Sequence, residues 1–205
     1  MSSIIMHIYI SQKVQKELNL SNKFLAGSIL PDMMKIKTKK RIETHYMKNY
    51  GLKKLPDLEG FLDENKDKLD DEITLGYYAH LIEDRIWLES YLDLFAKSID
   101  KDNVIYTCDN TVHTNKEFVK DMYSDYLKVD NSIIEKDNLN IDKIRLEIKD
   151  ELGSYNVDKI IDENVVFPIK NNDSENNFIS LDCLNRYIDE AAKKVKEEII
   201  RILGE

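Results

Sequence analysis

The chain has 205 residues, 42% of them hydrophobic, with four histidines, two cysteines and a formal net charge of −9. This fits one domain with a sizeable core, and the acidic balance excludes a broad Lys/Arg surface for a nucleic-acid polymer or an anionic membrane. Cys108 and Cys183 form no CxxC pair, the first residues lack the basic region and cleavage site of a signal peptide, and no apolar run approaches a transmembrane segment; a cytoplasmic protein with reduced thiols is expected.

Ser3 to about Leu20 reads as a helix or two short helical pieces on Ile4, Ile8, Val14 and Leu18, with His7 inside it. The β-branched Ile4, Ile5, Ile8 and Ile10 leave a strand open as the alternative. Ser21 can cap a short helix from Phe24 to Leu30, which Pro31 should end, leaving Asp32 at the break. A basic loop from Lys35 to Arg41 leads to Thr44-His45-Tyr46 on a short helix that Gly51 terminates. Asp57 is the expected N-cap of a helix from Leu58 to about Leu69.

The stretch from Asp71 to Phe95 predicts one long helix. Leu81, Leu88, Leu92 and Phe95 form one apolar stripe and Tyr78, Ile82 and Ile86 the next, leaving Glu83, Ser90 and Lys97 as a narrow solvent face. His80 and Asp84 lie one turn apart, about 5–6 Å between Cβ atoms, close enough to share one cation or simply to hydrogen-bond each other. Lys97 to Asn110 reads as a surface connection with a short strand-like piece at 104–106. Thr114 and Glu117 form a capping-box pattern, placing His113 just before a helix. Helices follow at 141–152, closed by Gly153, and at about 155–162. A loop at 164–177 carrying Pro168 is a candidate flap, and Ser180 should cap a last helix at 181–203 closed by Gly204. The expected fold is all-α, a single multi-helix domain over 1–205 around a metal centre, with the metal site in residues 1–100 and a helical second half in 101–205.

His7, Asp32, His45, His80 and Asp84, together with His113 and Glu117, supply imidazole and carboxylate groups suited to zinc or another divalent first-row metal. They exceed what one structural zinc needs and would suit one full metal and a partly open second, one to two per chain. No Gly-rich phosphate loop, Rossmann fingerprint or nucleophile elbow is present. An adjacent His-Asp pair, which an HD-type phosphohydrolase requires, is also missing.

His7, Gly27-Ser-Ile-Leu-Pro-Asp32, Thr44-His45-Tyr46, Leu55-Pro-Asp-Leu-Glu-Gly-Phe-Leu62 and Leu75-Gly-Tyr-Tyr-Ala-His-Leu-Ile-Glu-Asp-Arg-Ile-Trp87 together resemble the zinc-dependent phospholipase C and single-strand-specific nuclease superfamily, in its short bacterial hydrolase form. The resemblance covers the first half of the chain. It implies an all-α fold around a multi-zinc centre, hydrolysis of a phosphoester, and His7, Asp32, His45, His80 and Asp84 as metal ligands, with His113 and Glu117 in the place of a later His-x3-Glu. Secreted members begin with a Trp whose amine is a ligand and place another His soon after the His-x3-Asp pair. Here the one Trp is Trp87, and Glu89-Ser90 stand at the second position.

The expectation is a metal-dependent, phospholipase C-like hydrolase acting on a small or lipid-like phosphodiester or phosphomonoester. Asp32 would orient or deprotonate the attacking water, and Lys35, Lys37 or Arg41 would meet the phosphate. The alternative is a non-enzymatic helical protein whose structural metal or hydrogen-bonded polar core serves partner binding.

Overall fold

The structure, a computed structural model, describes residues 3–51, 53–170 and 178–204 and is mostly helical. Helix α1 (Ile4–Leu18) starts at Ser3, whose hydroxyl accepts the Met6 N–H. Ile4, Ile5, Ile8 and Ile10 are all buried in it, so the segment takes the helix against its β-branched content because tertiary packing outweighs local propensity. Helix α2 (Asn22–Thr38) is capped by Ser21 and runs through Pro31, where the sequence predicts an end. Proline removes one helix hydrogen bond, but Phe24, Leu25, Ile29 and Met33 are fully buried on either side of it and carry the helix across. Asp32 is therefore a helical residue, and Lys35 and Lys37 belong to the last turns of α2 rather than to a loop.

Helix α3 (Arg41–Thr44) leads into an antiparallel hairpin, β1 (Met47–Tyr50) with β2 (Lys53–Pro56). Gly51, expected to close a helix, instead takes φ +65° in the hairpin turn, a conformation that disfavours any side chain. Helix α4 (Leu58–Asn65) follows Asp57, with one 3-10 turn at Lys66–Lys68. Helix α5 (Glu72–Ile86) is capped by Asp71, whose side chain accepts the Thr74 N–H, and continues as a π-helical turn, Trp87–Tyr91, and a 3-10 turn, Leu92–Leu94.

The connection after α5 is more ordered than the sequence suggests: β3 (Ala96–Ser98), β4 (Asn103–Tyr106) and β5 (Val112–Thr114) form an antiparallel sheet in that order. The second half is thus not purely helical. Helix α6 (Asn115–Lys136) begins with the expected capping box of Thr114 and Glu117. Helices α7 (Ile141–Lys149), capped by Asn140, and α8 (Val157–Ile161) precede a π-helical turn, Asp162–Val166, and α9 (Phe167–Lys170). The candidate flap is therefore helical where it begins, and positions 171–177 lie outside the described residues. Helix α10 (Leu181–Leu203) runs from its Ser180 cap to Gly204. No helix among the described residues is long and apolar enough to cross a membrane.

Helices α2 and α5 meet backbone to backbone. A Cβ on Gly76 would stand 2.0 Å from the Phe24 carbonyl oxygen and 2.9 Å from Gly27 Cα, and one on Gly27 would stand 2.1 Å from the Ile73 carbonyl oxygen. On one side of this crossing Phe24, Leu75, Tyr78 and Ile82 pack with Val195 and Ile199 of α10. On the other, Trp87 is enclosed by Tyr91, Tyr126 and Tyr187. Gly76→Ala is expected to destabilise the protein by more than the roughly 1–3 kcal/mol of ordinary core overpacking, read as a fall in the urea midpoint. An unchanged midpoint would mean the helices are free to separate.

Candidate metal centre

Four chain segments converge between these packed layers. His7 comes from the first turn of α1, Asp32 from α2, His45 from the residue after α3, and His80 and Asp84 from successive turns of α5. The three histidines and Asp84 have no exposed surface, and Asp32 is 5% exposed. The His7 and His80 rings stack at 3.7 Å between centroids, and His45 meets His80 edge-on at 5.0 Å. His7 Nε2 lies 3.6 Å from Asp84 Oδ1, His45 Nε2 3.4 Å from Asp32 Oδ1, and His80 Nε2 4.0 Å from Asp84 Oδ2. His7, Asp32 and His80, and likewise His45, His80 and Asp84, each offer ligand atoms within 4.8 Å of one another and could hold a metal ion.

The outer nitrogen of each ring is anchored. His80 Nδ1 is 2.7 Å from the Ser28 carbonyl oxygen. A carbonyl only accepts, so the hydrogen sits on Nδ1 and, in the neutral ring, Nε2 presents a lone pair. His7 Nδ1 lies 2.5 Å from Glu83 Oε2, and His45 Nδ1 2.9 Å from Thr44 Oγ1. The Nε2 atoms of His7, His45 and His80 have no hydrogen-bond partner among the described residues. Burying an unsatisfied polar atom costs roughly 1–3 kcal/mol each. Three in one place, each with its far nitrogen held by a carboxylate, a carbonyl or a hydroxyl, is the pattern that orients imidazoles toward a metal. The residues present fit a divalent ion with imidazole and carboxylate donors.

Glu83 corrects the sequence reading. Assigned there to the solvent face, it is fully buried, with Ser11 Oγ 3.5 Å from its second oxygen and the Tyr187 hydroxyl donating to its backbone carbonyl at 3.2 Å. One signal was available: Ser90 and Lys97 are too sparse to make a solvent face of the helix, so Glu83 next to Asp84 stood alone.

Charge in the cluster follows from burial and neighbours. Burial alone would lower the His7 pKa, but Glu83 and Asp84 outweigh it and push it up to about 10. Burial, reinforced by the His7 charge, pulls His80 well below the usual histidine range, so its ring is neutral. Burial would raise Asp32, yet the His45 contact and the Lys35 and His7 charges hold it well below the usual carboxylate range. Asp84 is likewise held down against burial, with the His7 contact among the causes.

His113 and Glu117 are not part of this convergence. His113 stacks on Tyr106 at 3.8 Å with Nε2 2.6 Å from Thr111 Oγ1, and exposed Glu117 is occupied by the capping box at the start of α6. Local capping accounts for Glu117, which pairs with Thr114 rather than with His113. Of the basic residues, Lys35 Nζ sits 2.5 Å from Asp32 Oδ1, whereas Lys37 lies over the Tyr155 ring at 4.9 Å. Arg41 is close enough to Tyr123 to oppose, with Lys35, the rise that burial gives that phenol's pKa. Asp32, Lys35 and Tyr123 line a cavity of about 330 Å³. The buried cluster therefore reaches open space on its Asp32 side.

The chain matches no family model, no curated protein and no solved structure.

Glu83→Gln is expected to weaken metal binding by about 10–100-fold, the usual effect of losing an outer partner of a ligand histidine, measured by competition with a chromophoric chelator. The same affinity in the variant would show that Glu83 does not orient His7. Metal uptake at pH 7 should also release the His7 proton, so apparent affinity climbs with pH up to about 10, the value His7 reaches without metal. Calorimetry in buffers of different ionisation enthalpy would read that release directly.

Proposed function

We propose that the protein is a metal-dependent hydrolase of a small phosphoester, working with zinc or a similar divalent ion. The observation that carries the reading is the convergence of three imidazole Nε2 atoms and two carboxylates, open to a cavity where Asp32 is joined by Lys35. Imidazole and carboxylate donors suit zinc and its first-row neighbours. His80 Nε2 belongs to both ligand groups, and one nitrogen serves one ion, so the five residues describe one full position.

When bound, such an ion supplies a Lewis acid and an acidified water. Asp32, ionised and at the cavity wall, orients that water and takes its proton. Lys35 brings cationic charge to the same wall to hold phosphoryl oxygens, with Arg41 near the Tyr123 side of it. A cavity of about 330 Å³ suits a small ester rather than a polymer. Free Cys108 and Cys183 fit a reducing, cytoplasmic setting.

Protein purified without chelator is expected to carry about one zinc or similar ion per chain by elemental mass spectrometry, lost in His80→Ala. It should hydrolyse phosphodiesters or phosphomonoesters, and Asp32→Asn should lower kcat by about 10²–10⁴-fold with little change in the thermal midpoint. Stoichiometric metal without turnover, with folding lost on chelation, would favour the structural-metal alternative. Failure to take up any metal would remove the hydrolase reading altogether.

A further inference from the structure

The cavity beside Asp32 has a second acidic group on its wall. Asp130, on α6, is 4% exposed and lines that cavity with Ser3, Lys35, Tyr123 and Tyr126. Its Oδ1 accepts the Ser3 hydroxyl. Among the described residues no lysine or arginine pairs with it, whereas Asp125, the other buried carboxylate of α6, has both Lys128 and the Ile179 N–H. Ser3 already caps α1 through its own oxygen, so the cap has no need of a carboxyl beneath it. A buried carboxyl without a cation is costly when charged and tolerable when protonated.

Resting on the hydrolase reading above, we propose that Asp130 is the catalytic acid of this centre, delivering its carboxyl proton to the leaving oxygen of an unactivated alkyl phosphoester held in the cavity. Ser3 occupies Oδ1, which leaves Oδ2 to carry the proton. Asp32, Lys35 and Asp130 line the same cavity; in this proposal the first two take the water and the phosphoryl group, and Asp130 the departing alcohol. Water adds its oxygen to phosphorus and gives a proton to Asp32. The bond from phosphorus to the alkoxy oxygen breaks, its electron pair goes to that oxygen, and the Asp130 proton neutralises it. The proton taken by Asp32 then returns through solvent to Asp130, so the sum is ester plus water giving alcohol plus phosphate.

Burial pushes the Asp130 carboxyl up to about 7, against smaller opposing effects of the Ser3 hydroxyl and the His7 charge, so it still holds its proton near neutral pH. The other titratable or charged groups around the cavity are Asp32, Lys35, Tyr123, Tyr126, Glu163 and nearby Arg41. Asp32 and Lys35 are paired with each other. Proton donation matters where the leaving alcohol is poor and hardly at all for a nitrophenolate, so the substrate class this arrangement serves is the alkyl ester.

The test compares an alkyl phosphoester with its 4-nitrophenyl analogue on metal-loaded protein. Asp130→Asn, which keeps the shape and the Ser3 contact, is expected to lose about 10²-fold or more in kcat/KM on the alkyl ester and less than about threefold on the nitrophenyl ester. Asp130→Glu should recover part of the alkyl activity. Equal loss on both esters, or no loss on either, would overturn the assignment. Should the variants fold poorly, the wild type alone decides: a shallow dependence of rate on leaving-group pKa is expected, and a steep one contradicts a catalytic acid. Infrared difference spectra of metal-free protein give a readout independent of turnover, a carboxylic-acid C=O band at neutral pH that is missing from Asp130→Asn. Its absence from the wild type would sink the proposal. Metal-loaded wild type that cleaves neither ester would instead bring down the hydrolase reading, and this inference with it.

Discussion

Helices α2 and α5 approach until their backbones touch, and the cluster of histidines and carboxylates is built on that approach. Helix axes usually pack 8–10 Å apart, set by the side chains between them; at Gly27 and Gly76 there are none. Only at such a distance can the His80 ring, projecting from α5, reach the Ser28 carbonyl on the neighbouring helix. That bond fixes the tautomer that turns Nε2 inward. Asp32 is one turn further along α2 from Ser28, as Asp84 is one turn along α5 from His80, so one crossing brings both carboxylates to the same imidazoles.

The remaining two histidines are brought in by different means. His7 rides on α1, and its orientation comes from Glu83, a residue of the helix it packs against. His45 depends on a local device: Thr44 holds its Nδ1, and the next residue, Tyr46, takes φ +50°, an uncommon conformation outside glycine. Tyr46 is kept there by packing against Phe61 and Tyr77 and by its hydroxyl on Glu64. The Tyr77 hydroxyl in turn donates to the Thr44 carbonyl at 2.5 Å. Strain of this kind persists where surrounding contacts over-determine it.

Much of the arrangement was legible in the sequence because its signals are local. The i, i+4 spacing of His80 and Asp84, the Ser3-to-Leu20 segment around His7, and the Ser and Thr caps at 21, 114 and 180 each depend on a few neighbouring residues. The misses have the opposite origin. Pro31 carries a strong local stop signal that burial on both sides overrides, and Glu83 looks like a surface residue until His7, 76 positions away in sequence, comes to lie against it. The sheet from Ala96 to Thr114 is made of short strands in a polar stretch, stabilised by pairing that no single strand announces. His113 and Glu117 had the spacing of a ligand pair, but Glu117 is taken by the cap it forms with Thr114, and His113 by Tyr106 and Thr111. The cavity wall of Asp130 depends on contact between α1 and α6, which lies beyond any local pattern.

Two ionised carboxylates, Asp32 and Asp84, and a third on Glu83 once it accepts the His7 Nδ1–H, would leave the buried cluster with three negative charges, and Lys35 cancels one of them. A doubly charged ion on neutral imidazoles brings the whole enclosure to electroneutrality. A monovalent ion would leave a net negative charge in a largely buried cluster, and a trivalent one a net positive charge. Among side chains this deeply buried, either imbalance is costly. Under the proposed reading, a charge balance of this kind would favour a doubly charged cation over a singly charged one.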